Sequence, residues 1–138
     1  MNEFFGRHVV VIVFYDGKGN VLLQDRHKIS KCGEEWAFYG GGIKEGETKE
    51  EALRRELKEE LNYEIDDFKY LGDCVNQLDD GYTIDRKVFL APMPENLEQL
   101  RDREGEGHKI FPIAEAKKLK FVPGDEKIFD IIKYYVAV

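Results

Sequence analysis

Three consecutive glycines at positions 40–42 separate a short aromatic segment from a strongly marked helix. Thr48, with Glu51 three residues later, matches a capping box at the start of that helix, and Asn62 suits the left-handed backbone at which many helices end. Apolar residues recur between these ends at helical spacing: Ala52, Leu53, Leu57 and Leu61. The pattern predicts one amphipathic helix over residues 48–62, and any fold of this chain has to bury its apolar face.

Segments of β type flank this helix on both sides. Apolar and β-branched runs predict strands over residues 9–15, 21–23, 36–39, 68–78, 82–91 and 109–113. Tight turns are predicted at residues 16–20 and 79–81, because Gly, Asn and Asp accept the backbone angles of a reversal. Strands on both sides of one helix predict an α/β fold in which helices cover a mixed β-sheet.

The end of the chain predicts two further helical segments. The first is a brief stretch around residues 115–119. The second follows Pro123 and Gly124, with Asp125 as the expected N-cap. Its expected buried face contains Ile128, Phe129, Ile131, Ile132 and Tyr135.

Composition limits the classes of function. The chain has 138 residues, 42% hydrophobic and 12% aromatic, which predicts one compact domain over residues 1–138. Its formal net charge of -7 repels a phosphate backbone and disfavours bulk nucleic acid as a partner. The apolar run at residues 9–15 is far shorter than the about 20 residues that cross a bilayer, so no membrane partner is expected. Cys32 and Cys74 have no metal-type spacing, which favours reduced thiols and a cytoplasmic protein.

The predicted helix carries three carboxylates beside its apolar stripe. At about 100° per residue, Glu56, Glu59 and Glu60 fall within about 100° of arc, next to the arc of the leucines. Their mutual repulsion would be relieved by a divalent cation, and Mg²⁺ prefers carboxylate oxygens together with water and phosphate oxygens. Glycines at 40–42 allow backbone groups to approach a metal or phosphate closely. Arg55 is positioned to hold a carboxylate by a forked hydrogen bond.

Residues 41–63 resemble the Nudix box, Gly-x5-Glu-x7-Arg-Glu-U-x-Glu-Glu-x-Gly-U, in which U is aliphatic or bulky and apolar. The chain reads Gly41-x5-Glu47-x7-Arg55-Glu56-Leu57-x-Glu59-Glu60-x-Asn62-Tyr63. Asn62 stands where the family has glycine. Because Asn is the commonest other residue at a left-handed helix end, this departure leaves the catalytic positions intact.

The resemblance implies a Nudix hydrolase of MutT type: an α/β/α sandwich that uses Mg²⁺ or Mn²⁺ to hydrolyse a diphosphate bond. By that similarity the metal site comprises Gly41, Glu56, Glu59 and Glu60, with Arg55 in a supporting role. Either Glu60 or Glu56 is expected to be the general base. A further acid from a later loop is also expected, and Glu104 or Glu106 is the candidate, with a solvated turn as the alternative interpretation.

Three residues outside the box are candidates for substrate binding. Arg26 and Lys28 lie in the loop before the box and could reach phosphates, and Phe38 could stack on a base. Solvated loop charge and ordinary core packing are the alternative interpretations of these residues.

Substrate markers downstream of the box are missing. The proline found about fifteen residues past the box in many ADP-ribose hydrolases is replaced by Leu78, and the tyrosine of many dinucleoside-polyphosphate hydrolases by Asp79. The small size and the lack of an extra domain resemble the MutT-type branch of the family, and this resemblance implies a (deoxy)nucleoside triphosphate as substrate, with a nucleotide sugar as the nearest alternative. A nucleotide-binding module without activity and an RNA-end pyrophosphohydrolase are the rival functions, and either a monomer or a homodimer is compatible with the sequence.

Overall fold

A computed structural model describes residues 3–102 and 106–136, and within them a seven-stranded mixed sheet lies between helices. The strands are β1 Gly6–Tyr15, β2 Asn20–Asp25, β3 Trp36–Ala37, β4 Tyr39–Gly42, β5 Lys69–Gln77, β6 Thr83–Pro92 and β7 His108–Pro112. Their order is β3-β2-β1-β6-β5, with β4 paired to β1 and β7 paired to β2. β1 and β6 run parallel and the other pairs antiparallel. The predicted α/β fold with a mixed sheet is confirmed.

Helices cover both faces of the sheet. They are α1 Lys49–Leu61, α2 Ile113–Ala116 and α3 Ile128–Ile132, with single 3₁₀ turns at Leu97–Gln99 and Asp125–Lys127. In the part of the chain that the structure describes, no helix has the length and apolar character needed to cross a membrane.

The side chains of β1 alternate between two hydrophobic cores. Val10 and Ile12 face α1, together with Leu53 and Leu57 of that helix. Val11 and Val13 face the opposite side, where α2 and α3 pack. This alternation is the period of two that a strand imposes, and it makes the molecule a three-layer sandwich.

The local signals of α1 act as the sequence predicts. Thr48 and Glu51 form a reciprocal capping box, and Asn62 ends the helix with φ 54° and ψ 39°. Leu53 and Leu57 have no exposed surface. Burying each of these leucines stabilises the fold by about 1.5–3 kcal/mol, which fixes the face that α1 turns towards the sheet and therefore places its carboxylates beside that face.

The C-terminal segment differs from its prediction in two respects. Asp125 is not a helix N-cap: Gly124, at φ 99°, precedes the 3₁₀ turn, and Asp125 accepts a hydrogen bond from Arg86 instead. Tyr135 is 44% exposed, because α3 ends at Ile132 and the chain continues through turns. A local sequence pattern could not reveal that Arg86, which is distant in sequence, binds the Asp125 carboxylate.

Candidate active site

The glycine segment of β4 brings the sheet into contact with α1. Gly41 pairs with Val10 of β1, and the Glu56 carboxylate packs directly against the Gly41 backbone. A Cβ atom added to Gly41 would lie 2.3 Å from Glu56 Cδ and 2.4 Å from its Oε1. Only glycine leaves room for a carboxylate at this position.

Arg55 joins the carboxylates around this contact. Its Nε and Nη2 atoms donate to the two oxygens of Glu47 at 2.7 and 2.9 Å, which is a forked pair. Nη1 donates to Glu56 Oε1 at 2.9 Å and to Glu59 Oε2 at 3.3 Å. Nη2 also donates to the carbonyl oxygen of Gly42 at 2.9 Å, so one guanidinium connects the helix to the glycine segment.

The charges of this cluster are strongly coupled. Hydrogen bonds from Arg55, and then the one from the backbone N–H of Lys44, lower the pKa of Glu47 to about 2. The hydrogen bond to Glu47, opposed by burial and supported by Glu56, raises the pKa of Arg55 above its usual value. Both groups therefore stay ionised at neutral pH.

Glu59 and Glu60 differ in their surroundings. The Glu59 side chain is 56% exposed, whereas Glu60 is half-buried on the side of α1 that faces Tyr39. Burial, the hydrogen bond that its hydroxyl donates to Asp102, and the negative charges of Asp102 and Glu60 together raise the pKa of Tyr39. Asp102 also pairs with His108 Nδ1 at 2.6 Å, so a polar chain leads from the region of Glu60 towards β7.

The donor set suits a hard divalent cation. Carboxylate oxygens are the ligands that Mg²⁺ and Mn²⁺ prefer, and the cradle at Gly41 is one that any Cβ would fill. Among residues 3–102 and 106–136, no three His, Cys, Asp or Glu side chains are already gathered into a metal cage. Glu56 and Glu59 are instead held on one side of the helix through their common donor, Arg55 Nη1.

The later acidic loop is only partly described. Glu104 lies outside the described residues. The backbone N–H of Glu106 donates to the carbonyl oxygen of Asp25 at 3.2 Å, and its carboxylate pairs with Lys28 Nζ at 2.9 Å. The hydrogen bond to Glu106 raises the pKa of Lys28. Two residues that the sequence selected for different roles thus neutralise each other at the end of β2.

Arg26 and Phe38 line a cleft of about 240 Å³ on the α3 side of β4. Arg26 Nε donates to Glu34 at 2.9 Å, and this buried carboxylate also accepts the backbone N–H of Cys32 at 2.8 Å. Burial acts to raise the pKa of Glu34, but these hydrogen bonds outweigh it and lower the pKa to about 2. Phe38 is 7% exposed and stacks on Phe121, so its ring is largely core.

Sequence reasoning missed the buried ion pair in the wall of this cleft. Arg86, 2% exposed, donates to Asp125 at 2.6 Å, to the Asn76 side chain and to the carbonyl oxygen of Pro123 at 3.0 Å. Burial raises the pKa of Asp125, although Arg86 opposes the shift. The alternation of side chains along β6 could have revealed its burial, because Arg86 is two residues from Val88 and therefore faces the same core.

Both cysteines are free thiols, with Cys32 exposed and Cys74 buried in the core on the α3 side.

Comparisons with known proteins agree with this geometry. Residues 5–130 match the family model of the NUDIX domain. An 8-oxo-dGTP diphosphatase of Proteus vulgaris is 31% identical over 98 residues, which cover 71% of this chain and 85% of that protein. An RNA pyrophosphohydrolase of Teredinibacter turnerae is 43% identical over 63 residues, which cover 46% of this chain and 35% of that protein.

The fold has solved counterparts. The solution structure of the E. coli ORF135 protein superposes with a TM-score of 0.76 at 24% identity, covering 93% of this chain and 89% of that one. At this identity the likeness concerns the fold. Because the family model spans nearly the whole chain, the chain belongs to the Nudix family and is a hydrolase that acts on acid anhydrides.

Proposed function

We propose that the protein is a metal-dependent pyrophosphohydrolase of (deoxy)nucleoside triphosphates, in which water attacks phosphorus and a diphosphate bond breaks. The observation that carries this proposal is the contact between the Glu56 carboxylate and Gly41, held by the hydrogen bonds of Arg55. It combines hard oxygen ligands with a backbone surface that a phosphate can approach.

Glu56, Glu59, Glu60 and the backbone of Gly41 are the residues that would hold Mg²⁺ or Mn²⁺. Bound there, the cation supplies positive charge to phosphate oxygens that a protein with a formal net charge of -7 would otherwise repel. We assign the nucleoside end of the same substrate to the cleft that adjoins Gly40 and Gly41.

The protein's own residues have separate tasks in this proposal. Arg55 orients Glu56 and Glu59 through its shared Nη1 donor. Glu60 or Glu56 accepts a proton from the attacking water, and either Glu104 or Glu106 is the rival base from the later loop. Because Glu106 already pairs with Lys28, we favour a carboxylate of α1 as the base.

The triphosphate is favoured by the similarity to an 8-oxo-dGTP diphosphatase across most of both chains. A nucleotide sugar is the nearest alternative. We also propose that residues 1–138 act as one Nudix domain, as a monomer or homodimer. The free thiols support a cytoplasmic location.

A nucleotide panel with product identification tests the function. The purified chain is incubated with nucleoside triphosphates, nucleotide sugars, ADP-ribose, dinucleoside polyphosphates and RNA bearing a 5′-triphosphate. Each substrate is tested with Mg²⁺, with Mn²⁺ and with chelator. We expect a nucleoside monophosphate and pyrophosphate from triphosphates, only when metal is present. Nucleotide binding without products under any metal would identify a binding module instead.

Site variants test the residues. Glu60→Gln and Glu59→Gln should each lower kcat by at least about 100-fold, because the substitution removes a charged oxygen from the metal site. Glu64→Gln is the matched control, since the Glu64 side chain is 81% exposed and pairs with Lys58 at 3.3 Å. Unchanged activity in both site variants would refute the assigned site while leaving the hydrolase activity itself intact.

A further inference from the structure

Arg7 approaches the glycine segment from the side opposite to Glu56. A Cβ atom added to Gly42 would lie 3.2 Å from Arg7 Nη2, whereas one added to Gly41 would meet the Glu56 carboxylate. Successive residues of a strand face opposite sides of the sheet. The Arg7 guanidinium and the Glu56 carboxylate therefore lie on opposite sides of β4, with the strand backbone between them. A ligand at the edge of this segment has both charges within reach.

Arg7 differs from the other arginines of the cleft in its partners. The cleft of about 240 Å³ is lined by Arg7, Arg26 and Arg86 as well as by Gly40 and Gly41. Arg26 pairs with Glu34 at 2.9 Å and Arg86 with Asp125 at 2.6 Å.

Arg7 itself is exposed, and over residues 3–102 and 106–136 no Asp or Glu lies within 4.0 Å of its guanidinium nitrogens. Its charge is available to an incoming anion. An exposed guanidinium presents its N–H donors as a fork, which matches two oxygens of one phosphate.

We propose that Arg7 binds a phosphate group of the substrate on the cleft side of β4 and so fixes the polyphosphate chain along residues 40–42. This inference rests on the proposed function and adds a positioning residue to it. The absence of Cβ atoms at residues 40–42 lets phosphate oxygens approach the backbone between the two charges. In an acidic protein, an arginine with no carboxylate partner among the described residues is a selective site for the anionic end of a nucleotide.

Steady-state kinetics of Arg7→Gln, Arg7→Lys and wild type on the best triphosphate of the panel test this role. Arg7→Gln should raise KM by about 10- to 100-fold with a smaller change in kcat, because a charge-assisted hydrogen bond to phosphate is lost. Arg7→Lys should recover part of the affinity, since it restores the charge but not the fork. Lys18→Gln is the charge-matched control, because exposed Lys18 follows the opposite end of β1.

Calorimetric titration separates phosphate binding from contacts with the nucleoside. Inorganic pyrophosphate and deoxyguanosine are titrated into wild type and Arg7→Gln in magnesium buffer. We expect the variant to lose at least about 10-fold in affinity for pyrophosphate and none for deoxyguanosine. An equal loss for both probes, an equal effect of Lys18→Gln, or a KM within twofold of wild type would each overturn the role of Arg7.

Failure of the inference is distinguishable from failure of the function. If wild type hydrolyses triphosphates and Arg7→Gln matches it, the inference alone is wrong. If wild type hydrolyses nothing in the panel, the proposed function is wrong, and the pyrophosphate titration still decides whether Arg7 holds an anion.

Discussion

Arg55 and Arg86 lie on opposite faces of one sheet and each binds carboxylate, yet their surroundings differ. The Arg55 side chain is 20% exposed and donates to Glu47, Glu56 and Glu59 on a rim that water reaches. Arg86 is 2% exposed, and its partners are Asp125, Asn76 and a backbone carbonyl. The three carboxylates around Arg55 outnumber its single positive charge. Arg86 is instead enclosed by its partners.

This difference in exposure and in charge balance distinguishes a candidate ligand-binding site from an ion pair that stabilises the fold. The excess negative charge around Arg55 can be balanced by a cation and its substrate, so in the proposed site Arg55 orients Glu56 and Glu59 and leaves their other oxygens accessible. A buried pair has no such freedom, since removing one partner leaves an uncompensated charge in the core. Variants at the rim should therefore affect turnover, and variants of the buried pair should affect stability.

The largest effect is expected at the rim. Glu56→Gln should lower kcat by about 1000-fold, because it removes a charged oxygen from the proposed metal site and the charge that Arg55 Nη1 orients. Thermal unfolding should shift little, since the isosteric amide can still pack against Gly41. Metal-dependent turnover and melting temperature check these two expectations, and Glu64→Gln is measured as the control. A large fall in melting temperature would mean that Glu56 stabilises the fold, contrary to this prediction.

The buried pair should show the reverse pattern. Arg86→Leu should lower the free energy of unfolding by about 3–5 kcal/mol, because the Asp125 carboxylate, whose side chain is only 15% exposed, would lose its charged partner. Urea unfolding measures the change. The double variant Arg86→Leu with Asp125→Leu should recover much of the loss, since apolar replacement of both partners removes the unpaired charge. A single variant that loses less than about 1 kcal/mol would contradict the assigned role.

The same contrast explains how much could be predicted from the sequence. The caps, the leucine stripe and the carboxylates of α1 all lie within residues 48–62, so helical periodicity alone places them on a face. The partners Arg86 and Asp125 are 39 residues apart. Their pairing depends on how the C-terminal turn crosses the sheet, which no local pattern encodes.

Two further residues illustrate that limit. Asp125 follows Pro123 and Gly124, a setting that suits an N-cap and an ion pair equally well. Arg7 is a single exposed arginine at the start of β1, and its proximity to Gly42 follows only from the pairing of β1 with β4. Long-range pairing therefore decides which charges of the chain meet.

A glycine in each region extends the comparison. Gly41→Ala would bring a Cβ to 2.3 Å from Glu56 Cδ, and displacing that carboxylate should lower kcat by about 100-fold. Gly124→Ala would bring one to 2.8 Å from Arg86 Nη2 at a φ of 99°, and should cost about 1–3 kcal/mol of stability. Gly17→Ala, at φ 77° with no atom within 4 Å of the new Cβ, controls for backbone strain alone. Equal activity losses in the first two variants would remove the distinction between the regions.

Acid unfolding should separate the two clusters by the sign of their pH dependence. Arg55 lowers the pKa of Glu47 from 4.5 to about 2, so the unfolded state binds more protons in this interval. The stability that Glu47 contributes is present above pH 4.5 and is lost as the pH falls through about 2. Burial raises the pKa of Asp125 above 3.8, so there the native state binds more protons, and its contribution grows as the pH falls towards 3.8.

Urea unfolding at a series of pH values and low ionic strength measures both contributions as slopes. Glu47→Gln should make the free energy of unfolding fall less steeply with acidification, and Asp125→Asn should make it fall more steeply above pH 3.8. Added salt should reduce the first difference more than the second, because ions screen a rim pair more effectively than a buried one. Slopes that shift in the same direction would mean that the rim and the buried pair share one electrostatic environment, contrary to the comparison of Arg55 with Arg86.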